Sequence, residues 1–86
     1  MSTDETNVVE ELYDEELNTF FMVIAPVIKI IVDITKKKPA LTDPIFFNGE
    51  KIRCDGHYVV MNGLKYLKIS EGDRSGYVKE SALVKL

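Results

Sequence analysis

The chain has no tryptophan, one cysteine, one histidine and three prolines among its 86 residues. A lone Cys54 excludes an intrachain disulfide and makes a reducing compartment, the cytoplasm, the expected setting, with a virion also compatible. On the surface it would still be able to crosslink two copies. Cys54 and His57, three apart in Cys54-Asp55-Gly56-His57, amount to half a zinc site, and with no second cysteine or histidine only a site shared between copies would use them. Either residue as a catalytic thiol or base would need an orienting partner. The five glycines, at 49, 56, 63, 72 and 76, stand singly near turns, so there is no phosphate-cradling loop and no nucleophile elbow. These absences predict a protein that is not an enzyme and carries no cofactor or resident metal.

A long apolar run is also missing. Phe20 to Ile34 spans 15 residues ahead of Lys36-Lys37-Lys38, with Lys29 and Asp33 inside it. A helix crossing the hydrocarbon needs about 20 predominantly apolar residues, which argues against a membrane partner. The acidic opening of the chain does not read as a cleavable signal.

What is present is an uneven charge distribution behind a net −3. Residues 1–19 hold seven acids (Asp4, Glu5, Glu10, Glu11, Asp14, Glu15 and Glu16) and no base, giving −7, while residues 20–86 hold eleven bases and seven acids, giving +4. The front segment is thus a polyanion joined to a mildly basic domain, suited to contact with a partner or with that domain itself.

Ser2 with Glu5, and Asn7 with Glu10, fit capping boxes. Val9, Leu12, Tyr13, Leu17, Phe20, Phe21 and Ile24 recur at spacings of three and four opposite Glu10, Glu11, Asp14, Glu15 and Asn18. This predicts an acidic amphipathic helix over residues 1–25. Pro26 then interrupts it. Ile28, Ile30, Val32 and Ile34 alternate with Lys29, Ile31, Asp33 and Thr35 in a β-branched run that favours a strand, against the alternative of one kinked helix over residues 6–35. Residues 36–44, with two prolines and the lysine triplet, read as a long exposed loop.

From Gly49 onward the pattern is one of short strands and tight turns. Asn62-Gly63 between apolar residues is a hairpin signal. A second turn at Glu71-Gly72-Asp73-Arg74 returns the chain through Ser75-Gly76-Tyr77-Val78-Lys79, and Glu80-Ser81-Ala82 is short enough for one helical turn before Leu83-Val84-Lys85-Leu86. Gly49-Glu50-Lys51-Ile52-Arg53, the two hairpins and Ser75 to Leu83 resemble the second half of a Src-homology-3-type domain, including its bacterial cell-wall versions, the likeness extending over roughly residues 27–86. That resemblance implies a small barrel of about five antiparallel strands, ending in a Gly-aromatic-aliphatic strand, a single 3-10 turn and an apolar closing strand. The expected fold is therefore mainly β, an SH3-like barrel over residues 26–86 behind the acidic helix of residues 1–25. Peptide-binding members build a groove for polyproline from a tryptophan, a proline and a tyrosine. Here there is no tryptophan, Lys79 and Ala82 stand at the proline and tyrosine positions, and no Ala-Leu-Tyr-Asp-Tyr run occurs, so a proline-rich ligand is not expected.

The function expected from these residues is a non-catalytic protein-protein interaction or assembly module, a class that includes accessory components of viral or phage assemblies. Its candidate contact residues are Leu12, Tyr13, Leu17, Phe20 and Phe21 on the apolar stripe, which would meet a partner or a second copy, together with Lys36, Lys37, Lys38, Tyr58 and Tyr66. The alternative is nucleic-acid binding by Lys36, Lys37, Lys38, Lys51, Arg53, Lys65 and Lys68 with Tyr58 and Tyr66 interleaved.

Overall fold

Asn62 and Gly63 have φ of 53° and 78°, the pair of positive values that a two-residue hairpin turn requires. In the computed structural model, which describes residues 10–72 and 74–86, this turn joins β5 (Lys51–Met61) to β6 (Leu64–Glu71), setting Met61 opposite Leu64. The next turn joins β6 to β7 (Arg74–Lys79) with Glu71 opposite Arg74. On the other side of β5 run β1 (Leu12–Tyr13) and β2 (Phe20–Val23), and β8 (Leu83–Lys85) pairs with β2, giving the antiparallel order β7-β6-β5-β2-β8. A separate ribbon pairs β3 (Val27–Lys29) with β4 (Ile45–Phe47).

Alternation along these strands divides the apolar residues between two faces. One face carries the main core, in which Val23, Ile30, Phe46, Ile52, Cys54, Leu67 and Ile69 are fully buried. The opposite face of the β5–β6–β7 hairpins carries a smaller cluster of Ile31, Val59 and Met61, with Ile34, Tyr66 and Tyr77 packed against it. Adjacent residues Ile30 and Ile31 thus enter different clusters. They do so where Ile31 bridges Tyr77 at the edge of β7, with N–H to O distances of 2.9 and 3.0 Å in the two directions. A Cβ at Gly76, the β7 residue beside this crossing, would collide with Ile30 Cγ2 and lie 2.7 Å from Ile31 O.

Two expectations are corrected. No helix forms over the described part of residues 1–25. Residues 12–13 are strand, Glu15–Leu17 is a 3-10 turn capped by the Asp14 side chain, and residues 20–23 are strand. The spacing of three and four that suggests a helix overlies a second period: Phe21 and Val23 are buried while Phe20 and Met22 are not. Pairing on both sides, with β5 and with β8, satisfies the backbone of this aromatic and β-branched run, and tertiary pairing overrides a local helical pattern. The capping boxes begin at Ser2 and Asn7 and, like Val9, involve residues outside the described ones. The kinked-helix alternative is likewise not what residues 10–35 form.

The strands also do not close into an SH3-like barrel. They form a main sheet and a separate two-stranded ribbon, and Ile31, just beyond the ribbon, bridges Tyr77 at the β7 edge. The strand expected over residues 28–35 is correspondingly short: Ile34–Lys36 turns as a 3-10 element capped by Asp33, whose carboxylate accepts from Thr35 N at 3.1 Å. The C-terminal elements follow the sequence, with a 3-10 turn at Glu80–Ala82 before β8.

Two outcomes are expected. Leu17 and Phe21 are core residues at 7% and 4% exposure, so Leu17→Ala should cost about 2–5 kcal/mol and Phe21→Ala about 3–5 kcal/mol in urea unfolding, with sedimentation showing unchanged mass. An oligomer dissociating into a stable monomer would place them in an interface instead. Gly76→Ala should destabilise by about 1–3 kcal/mol through overpacking, whereas Ser75→Ala, at an exposed neighbour, should stay within about 0.5 kcal/mol of wild type.

Candidate binding surface

Where Ile31 pairs with Tyr77 along the edge of β7, residues from the 28–39 segment come up beside the face of the β6–β7 hairpin that carries Tyr66, Tyr77 and Lys79. Between them lies a groove of about 270 Å³. The hairpin register places its contributors: Tyr66 is opposite Lys79 and Lys68 opposite Tyr77, so all four project from one face, and Tyr66, Tyr77 and Lys79 line the groove. From the other side come Ile28, Lys29 and Ile31, then Lys37, Lys38 and Pro39. The result is an apolar floor with two tyrosines, rimmed by four lysines. Lys29 Nζ donates to Leu41 O at 3.0 Å, and Lys37 holds the left-handed position that ends the 3-10 turn, φ 60°. Lys38 and Lys79 form no ion pair among the described residues. A second depression of about 320 Å³ beside the β5–β6 turn shares Lys79.

At the Tyr77 end, the acidic front segment meets this face. Tyr77 OH donates to Glu11 Oε2 at 2.6 Å, and Lys68 Nζ lies 3.5 Å from the same oxygen. The tyrosine hydrogen bond, aided by the Lys68 charge, holds the Glu11 carboxyl below its ordinary value. Burial first, then the Glu11 hydrogen bond, raises the Tyr77 phenol. Farther along, Lys85 Nζ reaches Glu16 Oε1 at 3.2 Å. Part of the polyanion is thus neutralised within the chain.

The residues expected to make contacts do not share one surface. Lys37, Lys38 and Tyr66 meet in the groove, with Lys36 exposed beside it. Tyr58 pairs with Leu67, one register step from Tyr66, so it lies on the opposite face of the sheet, where Lys65 sits 4.8 Å from its ring centroid. Leu17 and Phe21 are core, Leu12 is half-buried opposite Tyr58, and exposed Tyr13 stacks edge-on against His57 at 5.1 Å. Phe20 is exposed on the β2–β8 outer surface near Val84 and Leu86, with Lys51 and Arg53 at 5.0 and 5.4 Å from its ring. The basic residues grouped for nucleic acid are therefore spread over three places.

Tyr77, Lys79 and Lys29 were not among the expected contacts. The second turn contained the signal for the first two: pairing Glu71 with Arg74 sets Lys68 opposite Tyr77 and Tyr66 opposite Lys79. No sequence pattern places residues 28–39 above them.

Cys54 is fully buried, which removes both the crosslinking and the activated-thiol readings. Burial first, with the Asp55 carboxylate adding, pushes its thiol from an ordinary 9.0 up to about 12. His57 lies at the surface, its Nδ1 3.1 Å from Asp55 Oδ1. Among the described residues no three histidine, cysteine or carboxylate side chains converge as metal ligands, and no helix is long and apolar enough to cross a membrane. The chain matches no protein-family model, and searches of curated proteins and of solved structures returned no match.

The Cys54 environment has a measurable consequence. The folded thiol stays protonated where the unfolded one ionises, so its contribution to stability is intact below pH 9.0 and declines as pH rises from there toward about 12. In mildly alkaline buffer a thiol-reactive dye should label Cys54 only on the unfolding timescale, and denaturant should make labelling immediate. Rapid labelling of the native protein would contradict the buried position.

Proposed function

We propose that the protein is a non-catalytic binding module that engages a protein partner, alone or within a larger assembly, through the groove between residues 28–39 and the β6–β7 hairpin. The observation that carries this reading is the lining of the groove: Ile28, Ile31, Pro39 and two half-buried tyrosines surrounded by lysines. A concave apolar surface with a few charged groups at its margin suits a protein segment, because the floor supplies burial and the rim supplies orientation. The resemblance of residues 27–86 to the Src-homology-3 family belongs to the same proposal, supported by the Gly76-Tyr77-Val78 strand, the 3-10 turn and β8.

Nucleic acid is the weaker reading. Stacking needs exposed ring faces along a continuous basic track. Tyr66 and Tyr77 pack against Ile31, Val59 and Met61, Tyr58 points to the other face, and Lys68 is paired with Glu11.

The test is affinity capture from the native host with three proteins: wild type, Lys38→Glu/Lys79→Glu in the groove, and Lys65→Glu on the opposite face. A defined protein retained by wild type and Lys65→Glu and lost by the groove variant is the expected result. The same proteins on all three, or loss only with Lys65→Glu, would remove the groove from the function.

A further inference from the structure

We infer that the groove selects an acidic protein segment, its carboxylates meeting Lys38 and Lys79 and an apolar side chain lying on Ile28, Ile31 and Tyr66; this rests on the binding-module reading and names its ligand chemistry. Two observations on the same face carry it. The first is charge. Four lysines contribute to the groove and, among the described residues, no acidic side chain does. Lys38 and Lys79 have no ion-pair partner among the described residues. Ammonium groups left at the rim of an apolar cleft favour a ligand that brings carboxylates to them, and exclude a basic one by like-charge repulsion.

The second is an internal precedent. Glu11, at the Tyr77 end, is held by the Tyr77 hydroxyl at 2.6 Å and the Lys68 ammonium at 3.5 Å. A tyrosine hydroxyl and a lysine acting together on one carboxylate is charge-assisted recognition. Tyr66 and Lys79 are the equivalent cross-strand neighbours two residues along each strand of the same hairpin, on the same face. The hairpin therefore repeats a tyrosine-lysine pair, with one pair occupied by the chain's own glutamate and the other facing the groove. Of the front segment's acids, Glu11 and Glu16 are already paired with Lys68 and Lys85.

The probe is a capped synthetic peptide, Glu-Asp-Leu-Glu-Leu-Glu, measured by calorimetry against the full chain beside its Gln-Asn-Leu-Gln-Leu-Gln counterpart and a thymidine oligonucleotide. The acidic peptide should bind saturably and weaken as salt rises, and the neutral one should bind at least about tenfold more weakly, as expected for charge pairs at a partly desolvated rim. Lys38→Glu/Lys79→Glu should abolish binding, Lys38→Gln/Lys79→Gln should reduce it, and Lys65→Glu should leave it unchanged, each variant first shown to keep the wild-type circular dichroism and unfolding midpoint. Glu11→Gln, which releases Tyr77 and Lys68, should strengthen it. Equal affinity for both peptides, tighter binding of the oligonucleotide, no binding of the acidic peptide, or indifference to the groove substitutions would overturn the inference. A groove-dependent protein captured from the host despite such a result would leave the binding-module reading standing.

Discussion

The passage of Ile30 and Ile31 over the edge of β7 is the contact on which the rest of the molecule depends. Gly76 permits it, since any side chain there would occupy the space of Ile30 and of the Ile31 carbonyl. With the backbones that close, Ile30 drops into the main core and Ile31 into the smaller one. One dipeptide thereby seals both faces of the hairpin sheet. A chain this short buries a modest share of its surface, and using both faces of one sheet enlarges the apolar area removed from water.

The same crossing explains the binding surface. Without it, Tyr66, Tyr77, Lys68 and Lys79 would be a flat, solvated sheet face. With residues 28–39 running beside it, the tyrosines become the wall of a cleft with lysines from both sides. The front segment approaches this face from the β5 side and places Glu11 on Tyr77 and Lys68. The opposite-charge halves visible in the composition thus meet inside one molecule at a few defined pairs, while the groove itself keeps its positive rim.

The outer surface of β2 and β8 is a separate feature. Phe20, Val84 and Leu86 are exposed there, on the sheet edge opposite β7. Lys51 and Arg53 covering the Phe20 ring place charge beside exposed apolar area, as proteins do to discourage edge-to-edge pairing.

Local chemistry was legible from the sequence wherever a short stretch decides its own conformation. Asn62-Gly63 dictates its hairpin through two positive φ values, the Glu71–Arg74 turn sets which residues of β6 and β7 share a face, and the C-terminal 3-10 turn and closing strand follow from residues 80–86. The charge asymmetry was equally plain. The front segment was not, because Leu17, Phe20, Phe21 and Ile24 satisfy a helical period while Phe20 to Val23 also satisfies a strand period, and only the availability of β5 and β8 as partners on either side decides between them. Tyr58 and Tyr66 look equivalent in the sequence, and the hairpin pairing sends them to opposite faces. The groove belongs wholly to the tertiary structure: its two walls lie some forty residues apart in the chain, and what brings them together is the missing side chain of Gly76, a steric fact that acquires meaning only when another backbone arrives beside it.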